Sequence, residues 1–474
     1  MNAFRHGLIT VAALLALALA PAARAGGPGM LLGATEDAVR STSPAVAQKQ
    51  MDLLAQAGFR AVRITQTWAP GETHVSATDA AILGNVVAAA KADGIDVLAA
   101  AMNFGSKTTP LTAADQADFA AYAASMVKTA HLRHLIVGNE PNLNRYWLPQ
   151  YDADGSDAAA AAYESLLART YDAVKAVDPT VEVIGGALSP RGSDNPAGTR
   201  PTHSPTAFIA DMGSAYRASG RVTPIMDALS LHPYEDNSSV APADGTHPNT
   251  TTIALADYGK LVALLGQAFD GTAQAGSTLP LYFDEFGVES QIPAAKQALY
   301  TGAEVAVTEP VDEATQAAYY KQAIQLAFCD PTVKGLFLFH AVDEKALTGW
   351  QSGVYYADDT PKSSLAPVRL AMEEARRGIV AQCQGLRLAP KVQVVQKGAV
   401  LTLTCNIDCS FVAQLYRGAG KLLVSKRGRA VGGRPTTLPL RVPAKTATYR
   451  LRLSAVAAVN PGKAVLLRRT LTPG

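Results

Sequence analysis

Residues 135–142 read LIVGNEPN. The apolar run Leu135–Val137 is too short for a helix and suits a strand buried on both faces. Gly138 interrupts it, and Asn139-Glu140-Pro141-Asn142 continues as loop, with a carboxylate just past the strand end. Residues 281–287, LYFDEFG, repeat the design: a short apolar run, then Asp284 and Glu285.

Working outward, six more such runs occur: Met30–Gly33, Ala61–Ile64, Ile95–Ala100, Val181–Ile184, Ala228–Leu231 and Gly335–Phe339. Helix-length segments alternate with them, carrying apolar residues every three or four positions. These are Val46–Ala57, Ala80–Ala92, Ala113–Thr129, Ala158–Ala176, Ala207–Ala218, Ile253–Phe269, Thr315–Phe328 and Ser364–Ile379. Strand followed by helix eight times predicts an α/β fold, a (β/α)8 TIM barrel, over residues 26–383. The rival is an open doubly wound sheet, but no G-x-G-x-x-G follows the first strand, which disfavours its dinucleotide-binding form.

The 474 residues, 48% hydrophobic, suit one large domain plus a small one. The formal net charge of +2 points to no polyanionic partner by itself, yet it hides a division. Residues 384–474 hold 16 Lys/Arg against one acidic residue, Asp408, whereas 26–383 hold 24 basic against 39 acidic residues. The tail changes period too. Short β-rich runs at 392–394, 400–403, 411–416, 422–424, 438–442, 448–453 and 465–470 predict a small antiparallel, Ig-like β-sandwich. Such a basic domain suits cell-wall polymers or acidic polysaccharide, or docking on its own acidic barrel; the short linker Gln384–Pro390 favours docking. Nucleic acid is not expected, since the tail lacks an aromatic-rich signature.

Residues 1–25 read as a signal peptide: Arg5 and His6, an apolar core at 8–20, then Ala23-Arg24-Ala25. The core is shorter than the ~20 residues of a membrane span, so a secreted, extracytoplasmic protein is expected. Cys329, Cys383, Cys405 and Cys409 then favour two disulfides. Cys405 and Cys409 would close a tight loop between strands. Cys329 and Cys383 follow the seventh and eighth helices, which end on one face of a barrel. No spacing suggests a metal site, and no cofactor is expected.

In a parallel barrel, chemistry collects at the C-terminal ends of the strands. Glu140 and Glu285 both stand there, after strands four and seven. Cleavage of a glycosidic bond needs one carboxyl to protonate the leaving oxygen and another to attack or stabilise the anomeric carbon. The plainer reading is two rim carboxylates held by basic neighbours.

With Asn139-Glu140-Pro141 ending strand four and Glu285 ending strand seven, residues 29–380 resemble clan A of the glycoside hydrolases, families 5 and 39 in particular. The resemblance implies Glu140 as acid/base, Glu285 as nucleophile, and retention of anomeric configuration. It also implies an Arg beside the nucleophile, matched by Arg63 on strand two (a structural ion pair is the alternative). Asn139 matches an asparagine on the sugar 2-hydroxyl, and His232 and Tyr234 match residues that orient the nucleophile or touch sugar. Two features depart from the pattern. Strand eight ends Phe339-His340 where family 5 has a Trp, with Trp350 ten residues later, and strand three ends Ala101-Met102-Asn103 without a His.

Aromatic rings stack on sugars, and Trp68, Tyr146, Trp147, Trp350, Tyr355 and Tyr356 fall near the expected active face, so about half should touch substrate. Trp68 and Trp350 are the tryptophans assigned to substrate. Glu235-Asp236, Asp343-Glu344 and Asp358-Asp359 read as solvated loop charges or local caps and not as catalysts. The activity expected is hydrolysis of a β-linked oligo- or polysaccharide. The alternatives are a non-hydrolytic carbohydrate-binding or adhesion protein and a transglycosylase.

Overall fold

The computed structural model describes residues 26–380 and, beyond them, 390–395, 400–405, 409–418, 420–430, 435–438, 440, 448–457 and 464–471. The expected signal peptide and Cys383, the expected partner of Cys329, lie outside the described residues. No helix among the described residues is long and apolar enough to cross a membrane.

Eight parallel strands close into a barrel in sequential order. They are β1 (Leu31–Thr35), β2 (Ala61–Trp68), β3 (Asp96–Asn103), β4 (His134–Val137), β5 (Glu182–Leu188), β6 (Ala228–Leu231), β7 (Leu281–Phe286) and β8 (Val333–Phe339). Between and after them run α1 (Pro44–Ala57), α2 (Ala77–Asp93), α3 (Ala113–Ala130), α4 (Ala158–Val177), α5 (Pro205–Ala218), α6 (Tyr258–Phe269), α7 (Glu313–Cys329) and α8 (Leu365–Arg376). β2 and β3 extend to Trp68 and Asn103, further than their apolar runs, because each continues to pair with the other beyond them. α6 begins at Tyr258, after a short 3-10 turn at Leu255–Asp257, not at Ile253.

Polar residues start the helices where the periodicity does. Ser76, Thr112, Asp157, Ser204 and Asp312 each accept a hydrogen bond from a backbone N–H three residues on, satisfying one unpaired donor of the first turn. Inside the barrel, Leu98, Ile136, Ile184, Tyr282 and Phe337 fill the bore. A Cβ on Gly33 would stand 2.4 Å from the Phe337 ring, so glycine is needed there to admit a phenylalanine within the barrel.

The C-terminal strands form two antiparallel sheets. One contains β9 (Lys391–Val395), β10 (Val400–Thr404) and β13 (Thr436–Thr437); the other contains β11 (Cys409–Arg417), β12 (Lys421–Ala430), β14 (Tyr449–Ala457) and β15 (Val465–Leu471). Leu401 and Leu403 from the first share one core with Phe411, Leu415 and Leu453 from the second, as in a sandwich. Cys405 and Cys409 are disulfide-bonded. The run expected at 438–442 is not a strand in its described part; Thr436–Thr437 pair with β10 instead.

Candidate active site

The end of β4 is shaped by backbone. Gly138 takes φ 84° and Glu140 φ 42°, so the chain turns sharply off the strand. At Gly138 an added Cβ would meet the Tyr163 ring at 3.2 Å, and Tyr163 Oη donates to Val137 O at 2.7 Å. Glu140 N donates to Ala187 O at 2.8 Å, fixing the glutamate's position against β5. Ala187 itself has φ 47°, at an irregularity of the β5–β6 register. β7 carries a second irregularity between Phe283 and Phe286. Bulges of this sort re-aim side chains; here Asp284 and Glu285, successive residues, both meet the same two cations.

Those cations are Arg63 and His232. Arg63 Nη1 donates to Glu285 Oε1 at 2.7 Å, and Nη2 donates to Asn139 Oδ1 at 2.7 Å. Its Nε stands 3.4 Å from Asp284 Oδ2. His232 places Nδ1 3.0 Å from Glu140 Oε1 and 3.5 Å from Glu285 Oε2, and Nε2 3.4 Å from Asp284 Oδ1. The Asp284 contacts are ion-pair distances without hydrogen-bond geometry. Because one nitrogen lies this close to both glutamates, those two oxygens are at most about 6.5 Å apart; retaining carboxyl pairs stand ~5–5.5 Å apart and inverting pairs ~6.5–9.5 Å.

Burial alone would favour neutral imidazole at His232. Glu285, Asp284 and Glu140 outweigh that and push its pKa up to about 10. Arg63 is likewise pulled down by burial but raised overall by Glu285 and Asp284. Tyr234 Oη donates to Glu285 Oε2 at 2.9 Å; burial first, then the Glu285 charge, hold the phenol well above its ordinary value.

A cleft of about 300 Å³ opens on this cluster, lined by Glu140, Arg191, Tyr234, Glu289 and Trp350 among others. Trp350 stacks on Tyr234 with ring centroids 4.8 Å apart. The loop after β8 thus brings a tryptophan to the wall that the strand end itself lacks. At that strand end, His340 Nδ1 donates to Thr35 O at 2.8 Å. Asn103, ending β3, clamps the loop after β4 by donating to Tyr146 O at 2.7 Å.

Four expected aromatics are elsewhere. Trp68, assigned to substrate from its position, is 0% exposed: it packs edge-on against Phe119 and donates to Glu72 O at 2.8 Å. Being on β2 beyond the expected strand end, it turns into the core instead of the cleft. Trp147 packs against Tyr163 in the same core, and Tyr355 and Tyr356 are buried. Tyr146 remains close enough to Glu140 and Glu285 for their charges, after burial, to raise its pKa to about 12.

Four acids were missed or misread. Asp284 was masked by its neighbour Glu285. Glu235 is not a solvated loop charge: it is 7% exposed, its carboxyl oxygens are unpaired, and burial together with Asp257 raises its pKa to about 9. Asp343 is also buried, paired with Lys362 at 2.8 Å. Glu289 is 6% exposed and lines the cleft. Its Oε2 accepts from Gln351 N at 3.1 Å, and its pKa rises to about 7, through burial and then the Glu304 and Asp343 charges, against the pull of that N–H. No signal in the sequence separated Glu289 from an ordinary loop glutamate.

A buried pair of glutamates, two cations and an aromatic wall at the mouth of a (β/α)8 barrel define the class of site. Comparison with solved structures agrees on the fold. The chain is similar to a glucosidase from Croceicoccus marinus at TM-score 0.52 and 13% identity, over 87% of this chain and 93% of that one. It is also similar to a monomeric β-xylosidase from Caulobacter crescentus (TM-score 0.45, 16% identity, 88% and 96% covered). A third likeness is to Bacteroides uniformis β-glucuronidase (TM-score 0.45, 13% identity, 94% of this chain), of which the chain spans 46% of the length. No protein-family model and no curated protein matches the sequence. At these identities the likeness is one of fold.

Proposed function

We propose that the chain is a retaining glycosidase acting on a β-linked, uncharged sugar. The observation that carries this reading is the meeting of Glu140 and Glu285 at one nitrogen of His232. The contacts assign the roles. Arg63 and Tyr234 both hold Glu285, as suits the carboxylate that attacks, and Glu140 lines the cleft, as suits the group that passes a proton to the leaving oxygen.

Glu285, each oxygen steadied by Arg63 or Tyr234, attacks the anomeric carbon as the bond to the leaving oxygen breaks. Glu140 gives that oxygen its proton. The resulting glycosyl ester on Glu285 is then attacked by water, whose proton returns to Glu140, and the ester bond breaks to free the sugar. Asn139 is positioned for a hydroxyl beside the reacting carbon, since Arg63 occupies only its Oδ1. The one cation of the cleft lining, Arg191, is already paired with Asp236 at 3.2 Å and so is not free for a uronate carboxylate, which favours neutral sugars over uronic acids.

A panel of aryl β-glycosides tests this. Turnover of a neutral glycoside, little or none of the glucuronide, and loss of at least ~10³-fold in kcat for Glu285→Gln are expected. Binding of sugars without turnover would favour the adhesion reading. Export is part of the proposal and rests on residues 1–25; N-terminal sequencing of the secreted protein should begin at Gly26.

A further inference from the structure

The four-stranded sheet turns one face away from its core, and arginines dominate that face. Registers place Arg450 opposite Tyr416 and Arg452 opposite Gln414 across β11 and β14. Arg468 of β15 stands directly opposite Arg452. On the other side of β11, Arg427 and Arg429 of β12 oppose Val412 and Ser410. Opposed residues share a face, and the intervening residues Phe411, Ala413, Leu415, Leu451 and Leu453 are the buried set. All five arginines are exposed. None has an ion pair among the described residues, and Asp408 is the sole acid of residues 384–474.

Arg452 and Arg468 are therefore like charges with Cβ atoms ~4.5–5.5 Å apart, an arrangement that weakens a sheet by itself. Arg450 lies one two-residue step along the same strand, roughly 7 Å away. The five are all Arg and not Lys, and the guanidinium fork fits a carboxylate with two parallel hydrogen bonds. Tyr416 beside Arg450 offers an aromatic ring to a sugar. One aromatic on the face is too few for the stacking platform that single-stranded nucleic acid uses.

We propose that this face binds an acidic polysaccharide, with successive uronate carboxylates seated on Arg450, Arg452 and Arg468. The preference for a glycan over other polyanions rests on the carbohydrate reading of the barrel; the arginine surface does not. The two halves then take different sugars: the sheet holds acidic polymer while the cleft works on neutral chains.

The test is binding of the full chain to polygalacturonate, with a triple variant (Arg450→Gln, Arg452→Gln, Arg468→Gln) and with neutral β-glucan as control. The wild type should bind polygalacturonate, about tenfold or more weakly at 200 mM than at 50 mM salt, and the wild type and the triple variant should behave alike toward the β-glucan. The triple variant should lose at least about tenfold in affinity while keeping the wild-type melting temperature within a few degrees. The proposal is overturned if the wild type does not bind polygalacturonate at low salt, or if the triple variant binds equally well. Tighter binding to single-stranded DNA or to phosphatidylglycerol vesicles overturns it as well. The polygalacturonate readouts do not use the cleft, so an absence of glycoside turnover would count against the barrel reading alone.

Discussion

Tyr234 joins the aromatic wall to the nucleophile: its hydroxyl donates to Glu285 Oε2 at 2.9 Å while its ring stacks on Trp350 at 4.8 Å. A hydrogen bond to a charged group contributes about 1.5–3 kcal/mol. Tyr234→Phe keeps the ring and removes only the donor. It should lower kcat/KM by roughly 10- to 100-fold, with little change in melting temperature. An unchanged kcat/KM would show that the phenol does not serve Glu285.

Arg63 ties β2 to β4 and β7 through Asn139, Asp284 and Glu285. Replacing it with Met leaves two buried carboxylates with one cation fewer. Breaking a buried pair in this way costs about 3–5 kcal/mol, and denaturant unfolding of Arg63→Met should show a loss of that order. A loss within experimental error would mean that Asp284 and Glu285 do not depend on it.

His232 should be an imidazolium throughout the neutral range. Its pKa is raised from 6.5 to about 10 by Glu285, Asp284 and Glu140 against the effect of burial. A histidine raised in the folded state contributes stability that is complete below its unfolded value and fades as pH rises toward 10. NMR of the imidazole nitrogens should show both protonated at pH 8; a neutral tautomer at pH 7 would show that the surrounding carboxylates do not hold the imidazolium.

Much of this architecture was legible. Buried parallel strands are continuous apolar runs, so all eight were located, and Glu140, Glu285, Arg63, Asn139, His232 and Tyr234 lie next to those runs and meet in one place. What sequence could not show is what depends on a side chain's direction. Trp68 and Trp350 look equivalent as tryptophans near loops, yet one turns into the core and the other onto the cleft. Glu235 and Asp236 are adjacent acids, but a loop packs over the first and leaves the second exposed. Asp284 and Glu285 should point to opposite faces of a regular strand; an irregularity of β7 brings both to the same cations.

Glu289 illustrates the same point with a measurable consequence. Its pKa is raised from 4.5 to about 7, chiefly by burial. The folded protein therefore binds an extra proton between those values, and stability should fall as pH rises through that window. Glu289→Gln imitates the protonated acid. It should flatten the fall in melting temperature between pH 5 and 8, measured by scanning fluorimetry; an identical slope in wild type and variant would contradict this.

The most direct measurement is to trap the intermediate. A 2-deoxy-2-fluoro glycoside with a good leaving group, chosen from the sugar that the enzyme turns over, should leave a covalent sugar on the peptide containing Glu285. Mass spectrometry should find that adduct in the wild type and not in Glu285→Gln. A label on any other residue, or active turnover that yields the inverted anomer with no adduct, would contradict the account.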